Sequence, residues 1–319
     1  MKEAYLRKRF KPETRRLISQ ADAIIDEYLA DGLKLSLRQL YYQFVARGIL
    51  ENNFRNYKRL GSIISDARLA GLIDWDAIED RGRETDRATR VFWDGPQSIL
   101  EACAEQFKID RWLPQPHHVE VMAEKAALEG VLIPVCAELG VRFTANKGYS
   151  SQSFMREKGE ELARWRRGGF EVAGRLVPPK YIHVLYLGDH DPSGMDMDRD
   201  VVERLELFSR GPVKVKRLCL TMDQIDDWGP PPNYAKPTDS RSKEYRALYG
   251  DDSWELDAAE PRELVKIVRE AVVRLRDDEL WEAECERQAK MRADLRDMAL
   301  EYEYREAEAS AGDEDDEEE

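Results

Sequence analysis

The chain has 319 residues, of which 42% are hydrophobic and 36% are charged, and its formal net charge is −14. This length fits two ordinary domains or one large domain with extensions. No apolar run approaches the roughly 20 residues of a membrane span. The four cysteines form no C-x-x-C pair, which argues against a disulfide framework or a zinc site. The basic N-terminus has no apolar signal core, so we expect a cytoplasmic protein that does not enter a membrane.

The charge is distributed unevenly along the chain. Residues 1–70 carry 14 basic and 8 acidic side chains, whereas residues 306–319 carry nine acidic side chains and no basic one. A locally basic surface binds nucleic acid whatever the total charge, because salt screens charges beyond roughly 8–10 Å. We interpret 306–319 as a disordered acidic tail. It serves either to solvate the chain or to mimic phosphate and compete with nucleic acid for the basic side chains of residues 1–70.

Three helical patterns open the chain, at about 12–29, 36–48 and 53–69, with Ser36 as an N-cap. A short extended segment begins at 72–75 and leads to 80–83. Three helices and a ribbon are typical of a winged helix, whose third helix enters the major groove of DNA. An ordinary helical domain with a solvated basic face fits the same pattern. The candidate DNA-binding residues on the third helix and in the wing are Arg55, Lys58, Arg59, Arg68, Arg81 and Arg83.

The second half of the chain alternates between the two kinds of element. Strands are predicted at 118–123, 141–144, 181–187 and 213–220, and helices at 125–139, 152–166 and 195–208. This alternation predicts an α/β fold with a parallel sheet and helices on both faces. The domain organisation that we expect is a mostly α-helical winged-helix domain at 1–92, a linker helix at 93–115, an α/β domain at 116–260 and C-terminal helices at 261–305.

Three carboxylates follow the predicted strands. Glu124 follows 118–123, and Asp189 and Asp191 follow 181–187. The carboxyl ends of parallel strands form the ligand-binding edge of an open sheet. Unpaired carboxylates repel one another there, and a divalent cation with hard oxygen ligands, above all Mg²⁺, relieves the repulsion. The alternative is that D-x-D before a Pro-Gly turn is only a helix cap.

The second helix carries a candidate nucleophile. Apolar residues recur along it at helical spacing and place Tyr41 in the core stripe, while Tyr42 and Arg38 share a flank and are expected to be partly exposed. A tyrosine hydroxyl has a pKa of about 10, and a neighbouring guanidinium stabilises its phenolate and grips a phosphate. The alternative is an amphipathic tyrosine at the edge of the core.

These motifs together resemble the A subunit of topoisomerase VI and its meiotic double-strand-break relatives. Residues 38–42 resemble the R-x-x-x-Y motif of that family. Residues 124–125 and 189–194 resemble the glutamate and the D-x-D-P-x-G signature of its Toprim domain. The loop at 146–149 is similar to a glycine-lysine-glycine-tyrosine loop, although Asn146 replaces the first glycine. The segments at 233–241 and 254–257 look like a bacterial or mobile-element branch of Toprim proteins.

The resemblance implies a function. It assigns Tyr42 as the nucleophile on double-stranded DNA, Arg38 as its assistant, and Glu124, Asp189 and Asp191 as ligands of Mg²⁺. It also implies a nucleoid-associated homodimer, in which each tyrosine works against the Toprim site of its partner. Lys147 is a candidate phosphate contact. The chain has no nucleotide-binding loop, so ATP-driven strand passage requires a separate ATPase subunit.

Two other functions stay open. A Toprim nuclease would cut with metal-activated water and use the front domain only to hold DNA. A non-catalytic DNA-binding or assembly protein would do neither. Glu255 and Asp257 are either further metal ligands or ion-pair partners of Lys236 and Arg241, and we slightly favour the ion pairs.

Overall fold

The computed structural model describes residues 2–75, 77–79, 93, 95–146, 150–234 and 241–315. The helices are α1 (Pro12–Ala30), α2 (Leu37–Ala46), α3 (Phe54–Leu69), α4 (Pro96–Gln106), α5 (Glu129–Leu139), α6 (Gln152–Arg167), α7 (Pro192–Ser209), α8 (Met222–Trp228), α9 (Ser242–Tyr249), α10 (Pro261–Val273) and α11 (Asp278–Asp315), with short 3-10 helices at Ala126–Leu128 and Leu256–Ala258. The strands are β1 (Leu35–Ser36), β2 (Ile78–Glu79), β3 (His117–Ala123), β4 (Arg142–Ala145), β5 (Glu171–Val172), β6 (Arg175–Leu176), β7 (Tyr181–Leu187), β8 (Lys214–Cys219), β9 (Asn233–Tyr234) and β10 (Asp252–Ser253).

The chain divides into two compact units. The first comprises Met1–Arg83 with Pro116–Leu275, and the second comprises Glu84–Gln115 with Arg276–Glu319. In the second unit, α4 packs against α11. That last helix continues to Asp315 and so includes most of the segment that we interpreted as a tail.

The front of the first unit contains three helices and a small strand pair. Ser36 caps α2 through a reciprocal pair of hydrogen bonds with Gln39, and Asn53 caps α3 by accepting from the Asn56 amide at 2.8 Å. The extended segment that we predicted to begin at 72–75 contains the short strand β2, which pairs in parallel with β1, but 72–75 themselves lie outside the strand. The predicted wing residues Arg81 and Arg83 lie outside the described residues.

The rest of the first unit is built on a four-stranded parallel sheet in the order β4-β3-β7-β8. Its two central strands are buried along nearly their whole length, as expected for a sheet that is covered on both faces. Helix α6 packs against α7, and α5 packs against α10, so helices flank the sheet. The predicted α/β class is therefore confirmed.

Candidate active site

The two central strands end together and place the first carboxylates side by side. Ala123 of β3 lies opposite Leu187 of β7. The Glu124 amide donates to the Leu187 carbonyl at 2.9 Å, and the Asp189 amide donates to Oε2 of Glu124 at 2.8 Å. Burial and the nearby Asp189 carboxylate raise the pKa of Glu124 to about 7. The closeness of the two carboxylates at this edge of the sheet therefore disfavours the charged form of Glu124.

Asp191 sits one turn further, where α7 begins. It is the N-cap of α7 and accepts a hydrogen bond from the Gly194 amide at 2.6 Å. A Cβ atom at Gly194 would lie 2.3 Å from the Asp189 carbonyl oxygen, so this turn requires glycine. Burial raises the pKa of Asp191, and Asp189 adds to that rise. The cap that we considered as an alternative is therefore present, on a carboxylate that also lines the cavity described below.

A lysine occupies the centre of the carboxylate cluster. The Lys125 ammonium nitrogen lies 2.6 Å from Asp189 Oδ2, 3.4 Å from Glu255 Oε2 and 3.5 Å from Asp257 Oδ2. We favoured ion pairs for Glu255 and Asp257, and both pair with Lys125. Of the two partners that we predicted, Arg241 pairs with Asp196 instead, and Lys236 lies outside the described residues. Sequence spacing offered no signal for the role of Lys125 beyond its place next to Glu124.

In the described part of the chain, no three His, Cys, Asp or Glu side chains stand ready to hold a metal ion. The reason is local, since backbone amides and Lys125 engage carboxylate oxygens of Glu124, Asp189 and Asp191. The donor chemistry nevertheless fits a hard divalent cation, because every donor is a carboxylate oxygen. Among the described residues, neither carboxylate oxygen of the buried Asp257 has a hydrogen-bond partner. The cluster therefore includes two acceptor oxygens that no described hydrogen-bond donor engages.

A cavity of about 680 Å³ brings the carboxylates and the candidate tyrosine together within the first unit. Its wall comes from α2, the start of α3, the edge of the sheet and the segment around β9 and β10. The lining residues are Arg38, Tyr41, Tyr42, Asn52, Asn53, Phe54, Tyr57, Glu124, Asp191, Pro192, Ser193, Asn233, Ser253 and Glu255. A single concave site thus contains a phenol, a guanidinium and carboxylates.

Tyr42 is more buried than the sequence predicts. Its side chain is 3% exposed, so the expected partial exposure was wrong. The reason is that the 3-10 helix Leu256–Ala258 packs against α2 and Asn233 lies over the hydroxyl. Burial and the Glu255 carboxylate raise the pKa of Tyr42 to about 12, against the lowering effects of Asn233 and Arg38.

The hydrogen bonds around Tyr42 have a fixed direction. Asn52 Nδ2 lies 2.9 Å from the Pro232 carbonyl, which can only accept, so this nitrogen donates. The same nitrogen lies 3.2 Å from Asn233 Oδ1, which leaves Asn233 Nδ2 to donate to the Tyr42 oxygen at 3.0 Å. Asn233 and Asn52 are functional candidates that helical periodicity did not reveal.

Arg38 lies in the same cavity without a hydrogen bond to Tyr42 among the described contacts. Its guanidinium is 3.0 Å from Glu255 Oε2 and 5.8 Å from the centre of the Tyr57 ring. Its positive charge nevertheless lowers the pKa of the Tyr42 hydroxyl. A guanidinium on a cavity wall is suited to binding a phosphate.

His190, between the two aspartates, faces the interior of the protein. It is 2% exposed, and its Nδ1 lies 2.7 Å from the Tyr245 hydroxyl. Tyr249 and Trp254 pack against its ring, and its backbone pairs with that of Trp254. This aromatic packing ties the segment that carries Glu255 and Asp257 to the D-x-D turn.

The predicted DNA-binding residues are placed differently from one another. Arg55 is exposed, and Lys58 lies 4.6 Å above the Phe54 ring. Arg59 pairs with Glu13 at 2.6 Å, and Arg68 donates to the backbone carbonyls of Trp75 and Ile78, which engages it within the protein. The remaining three, Arg81, Arg83 and Lys147, lie outside the described residues.

Comparison with protein-family models and with curated proteins finds no match to this chain. Within the described residues, no helix is both long and apolar enough to cross a membrane. The functional proposal therefore rests on the geometry of the site.

Proposed function

We propose that this protein is a DNA-cleaving enzyme of the topoisomerase VI A type. In this proposal, Tyr42 attacks a phosphodiester of double-stranded DNA, and Glu124, Asp189 and Asp191 hold Mg²⁺. The observation that supports it is the shared cavity, in which Tyr42 and Arg38 line the same wall space as Glu124 and Asp191. A phenol, a phosphate-binding cation and clustered carboxylates are the groups that this transesterification requires.

The chain's own residues divide the work of the reaction. The Tyr42 hydroxyl loses its proton as its oxygen bonds to phosphorus, and the O3′ atom of the broken ester leaves and takes up a proton. A 5′-phosphotyrosyl bond results, and attack by the same 3′-hydroxyl reverses the step. Asn233 donates to the Tyr42 oxygen and steadies the phenolate, while Arg38 binds the phosphate. Bound Mg²⁺ supplies stabilisation of the charge on the scissile phosphate.

The wider assembly follows from the same proposal. One tyrosine cuts one strand, so a double-strand break requires two copies of the chain. The exposed Arg55 and the nearby Lys58 on α3 would hold the DNA backbone. Strand passage driven by ATP would need a separate ATPase subunit, and such a protein would be associated with the nucleoid.

The covalent adduct tests the proposal. Incubation with end-labelled duplex DNA and Mg²⁺, followed by denaturation, should trap DNA on the wild-type protein. Tyr42→Phe should abolish the adduct, because it removes the attacking oxygen. Tyr57→Phe is the matched control, since Tyr57 lines the same cavity, and it should leave the adduct in place.

The other outcomes identify the alternatives. If Tyr42→Phe still cuts DNA and Asp189→Asn does not, the protein is a metal-dependent nuclease. If the wild type binds DNA yet leaves supercoiled plasmid intact with Mg²⁺ and with any partner subunit present, the protein is a non-catalytic binder. An adduct of undiminished yield in Tyr42→Phe would refute the role of Tyr42.

A further inference from the structure

We propose that Lys125 is the resident cation of a second cation position, formed by Asp189, Glu255 and Asp257, so that the cavity takes one divalent ion rather than two. This inference rests on the proposed function, because the ion it leaves room for is the Mg²⁺ held by Glu124, Asp191 and Asp189, and Asp189 is shared between the two positions. It assigns a role to Glu255 and Asp257, which follow β10, and to the lysine next to Glu124.

The first observation is the convergence of three carboxylates on one point. Oxygens from Asp189, Glu255 and Asp257 lie within 3.5 Å of the Lys125 nitrogen. These side chains come from two separate segments that meet at the edge of the sheet. An ammonium has three N–H donors and no acceptor, so a group of carboxylate oxygens is a suitable environment for it. The arrangement marks a place where the protein is built to hold positive charge.

The second observation is independent and concerns Asp257. It is 2% exposed, and neither of its carboxylate oxygens has a hydrogen-bond partner among the described residues. The adjacent Leu256 amide donates to Asp189 Oδ1 at 2.8 Å instead. Burying a carboxylate without hydrogen bonds is costly unless a cation lies close by. Asp257 therefore has a structural reason to face a cation.

Lys125 itself supplies the cation that occupies this position. Lys125 follows Glu124 directly in the chain, so its ammonium group is always present at this position, whereas a free ion must bind from solution. A divalent ion entering the same position would have to displace the ammonium from the oxygens of Asp189, Glu255 and Asp257, and at a few ångströms the ammonium would repel it. The lysine thus fills the position and excludes a second metal ion.

Metal stoichiometry tests the inference without measuring activity. Full-length protein without DNA is titrated with Mn²⁺, and free Mn²⁺ is followed by electron paramagnetic resonance. The wild type should bind one Mn²⁺ per chain. Lys125→Met removes the charge while keeping the length of the side chain, and it should bind two. Lys266→Met, on the exposed face of α10, is the control and should match the wild type.

A double variant guards against a loss of folding. Lys125→Met is expected to lower the melting temperature without metal, because three carboxylates lose their cation, and Mn²⁺ should restore it. Adding Asp257→Asn removes one of those charges, so Lys125→Met/Asp257→Asn should melt at a higher temperature than Lys125→Met without metal and bind fewer Mn²⁺ ions.

The two proposals fail in different ways. The gain of one Mn²⁺ in Lys125→Met relative to the wild type supports the resident cation, and no gain overturns it. Two ions bound to the wild type overturn it as well. A wild type that binds no Mn²⁺ instead removes the magnesium site of the proposed function, and the comparison between variant and wild type still decides the role of Lys125.

Discussion

The Tyr42 hydroxyl accepts a hydrogen bond, because Asn233 presents its amide nitrogen at 3.0 Å. A donor at this position favours the phenolate over the phenol, which is the preference that a nucleophile requires. Burial and Glu255 act the other way and raise the pKa of Tyr42 to about 12. Under the proposed function, a bound phosphate would compete with Glu255 for Arg38.

Removal of the Asn233 donor is expected to slow formation of the covalent adduct. Hydrogen bonds to charged groups contribute about 1.5–3 kcal/mol, so Asn233→Ala should reduce the rate at least about tenfold. Asn52→Ala should have a smaller effect, because it removes the anchor of Asn233 and not the donor itself. Single-turnover assays with saturating DNA measure both, and an unchanged rate in Asn233→Ala would contradict the role of this donor.

Tyr41 and Tyr42 show which part of the candidate site the sequence predicts and which part it does not. Helical periodicity correctly placed Tyr41 in the core, since it depends only on neighbours within α2. It could not place Tyr42, because the cover comes from Asn233 and the 3-10 helix Leu256–Ala258, some 190 to 215 positions further along. Contacts between distant segments leave no periodic trace in the chain.

At the scale of elements, a buried charge network holds α6 on β3. Glu120 of β3 accepts from His118 at 3.0 Å and pairs with Lys158 of α6 at 3.0 Å. Burial opposes ionisation of Glu120, but the His118 and Lys158 contacts outweigh it and hold its pKa to about 2. A carboxylate whose folded pKa lies below its unfolded value of about 4.3 stabilises the fold above that pH.

The network predicts a specific acid sensitivity. The lowered pKa of Glu120 corresponds to a contribution of about 3 kcal/mol to the free energy of unfolding. This contribution should be complete above about pH 4.3 and should be lost as the pH drops toward 2. Glu120→Gln should therefore lower stability at pH 7 and flatten the decline in acid. Urea unfolding at pH 7 and pH 3 measures this. Glu161→Gln, on the same lysine but more exposed, should change little, and equal effects of the two variants would contradict the prediction.

The elements differ in how far the sequence reveals them. The helices α1, α2, α3, α6 and α7 and the central strands were predicted within a few residues, because capping residues and apolar periodicity mark them over many positions. The end of α11 was not, since it continues ten residues past the predicted end at 305. The strands β5, β6, β9 and β10 were missed, since each has two residues and offers no period to detect. β9 and β10 carry Asn233 and Ser253, so the shortest elements supply part of the candidate site.

At the scale of the molecule, the front helices and the sheet belong to one compact unit. Glu260, just before α10, accepts from Tyr28 of α1 at 2.6 Å and from Gln43 of α2 at 3.2 Å. These bonds join the helix that carries Tyr42 to the α/β part of the same chain. The sequence resemblance implied instead that each tyrosine works against the carboxylates of a partner.

Mixing inactive variants distinguishes the two arrangements. Tyr42→Phe lacks the nucleophile and Glu124→Gln lacks a carboxylate, so neither should form an adduct alone. If Tyr42 works with the carboxylates of its own cavity, a mixture of the two variants should stay inactive, since every cavity lacks one group. Co-expression before purification ensures that mixed dimers form, and adduct yield on labelled duplex DNA is the measurement.

Recovered adduct would show that the site is completed across two chains. A mixed dimer would then hold one complete site, formed by Tyr42 of the Glu124→Gln chain and Glu124 of the Tyr42→Phe chain. Because random pairing makes about half of the dimers mixed, the yield would approach about a quarter of that of the wild type. Co-expression of wild type with a chain carrying both substitutions is the control, because one intact cavity survives in that dimer only when nucleophile and carboxylates belong to the same chain. The shared cavity of the first unit predicts about half of the wild-type yield in the control, rather than the quarter that wild-type homodimers alone would give, and no adduct in the mixture.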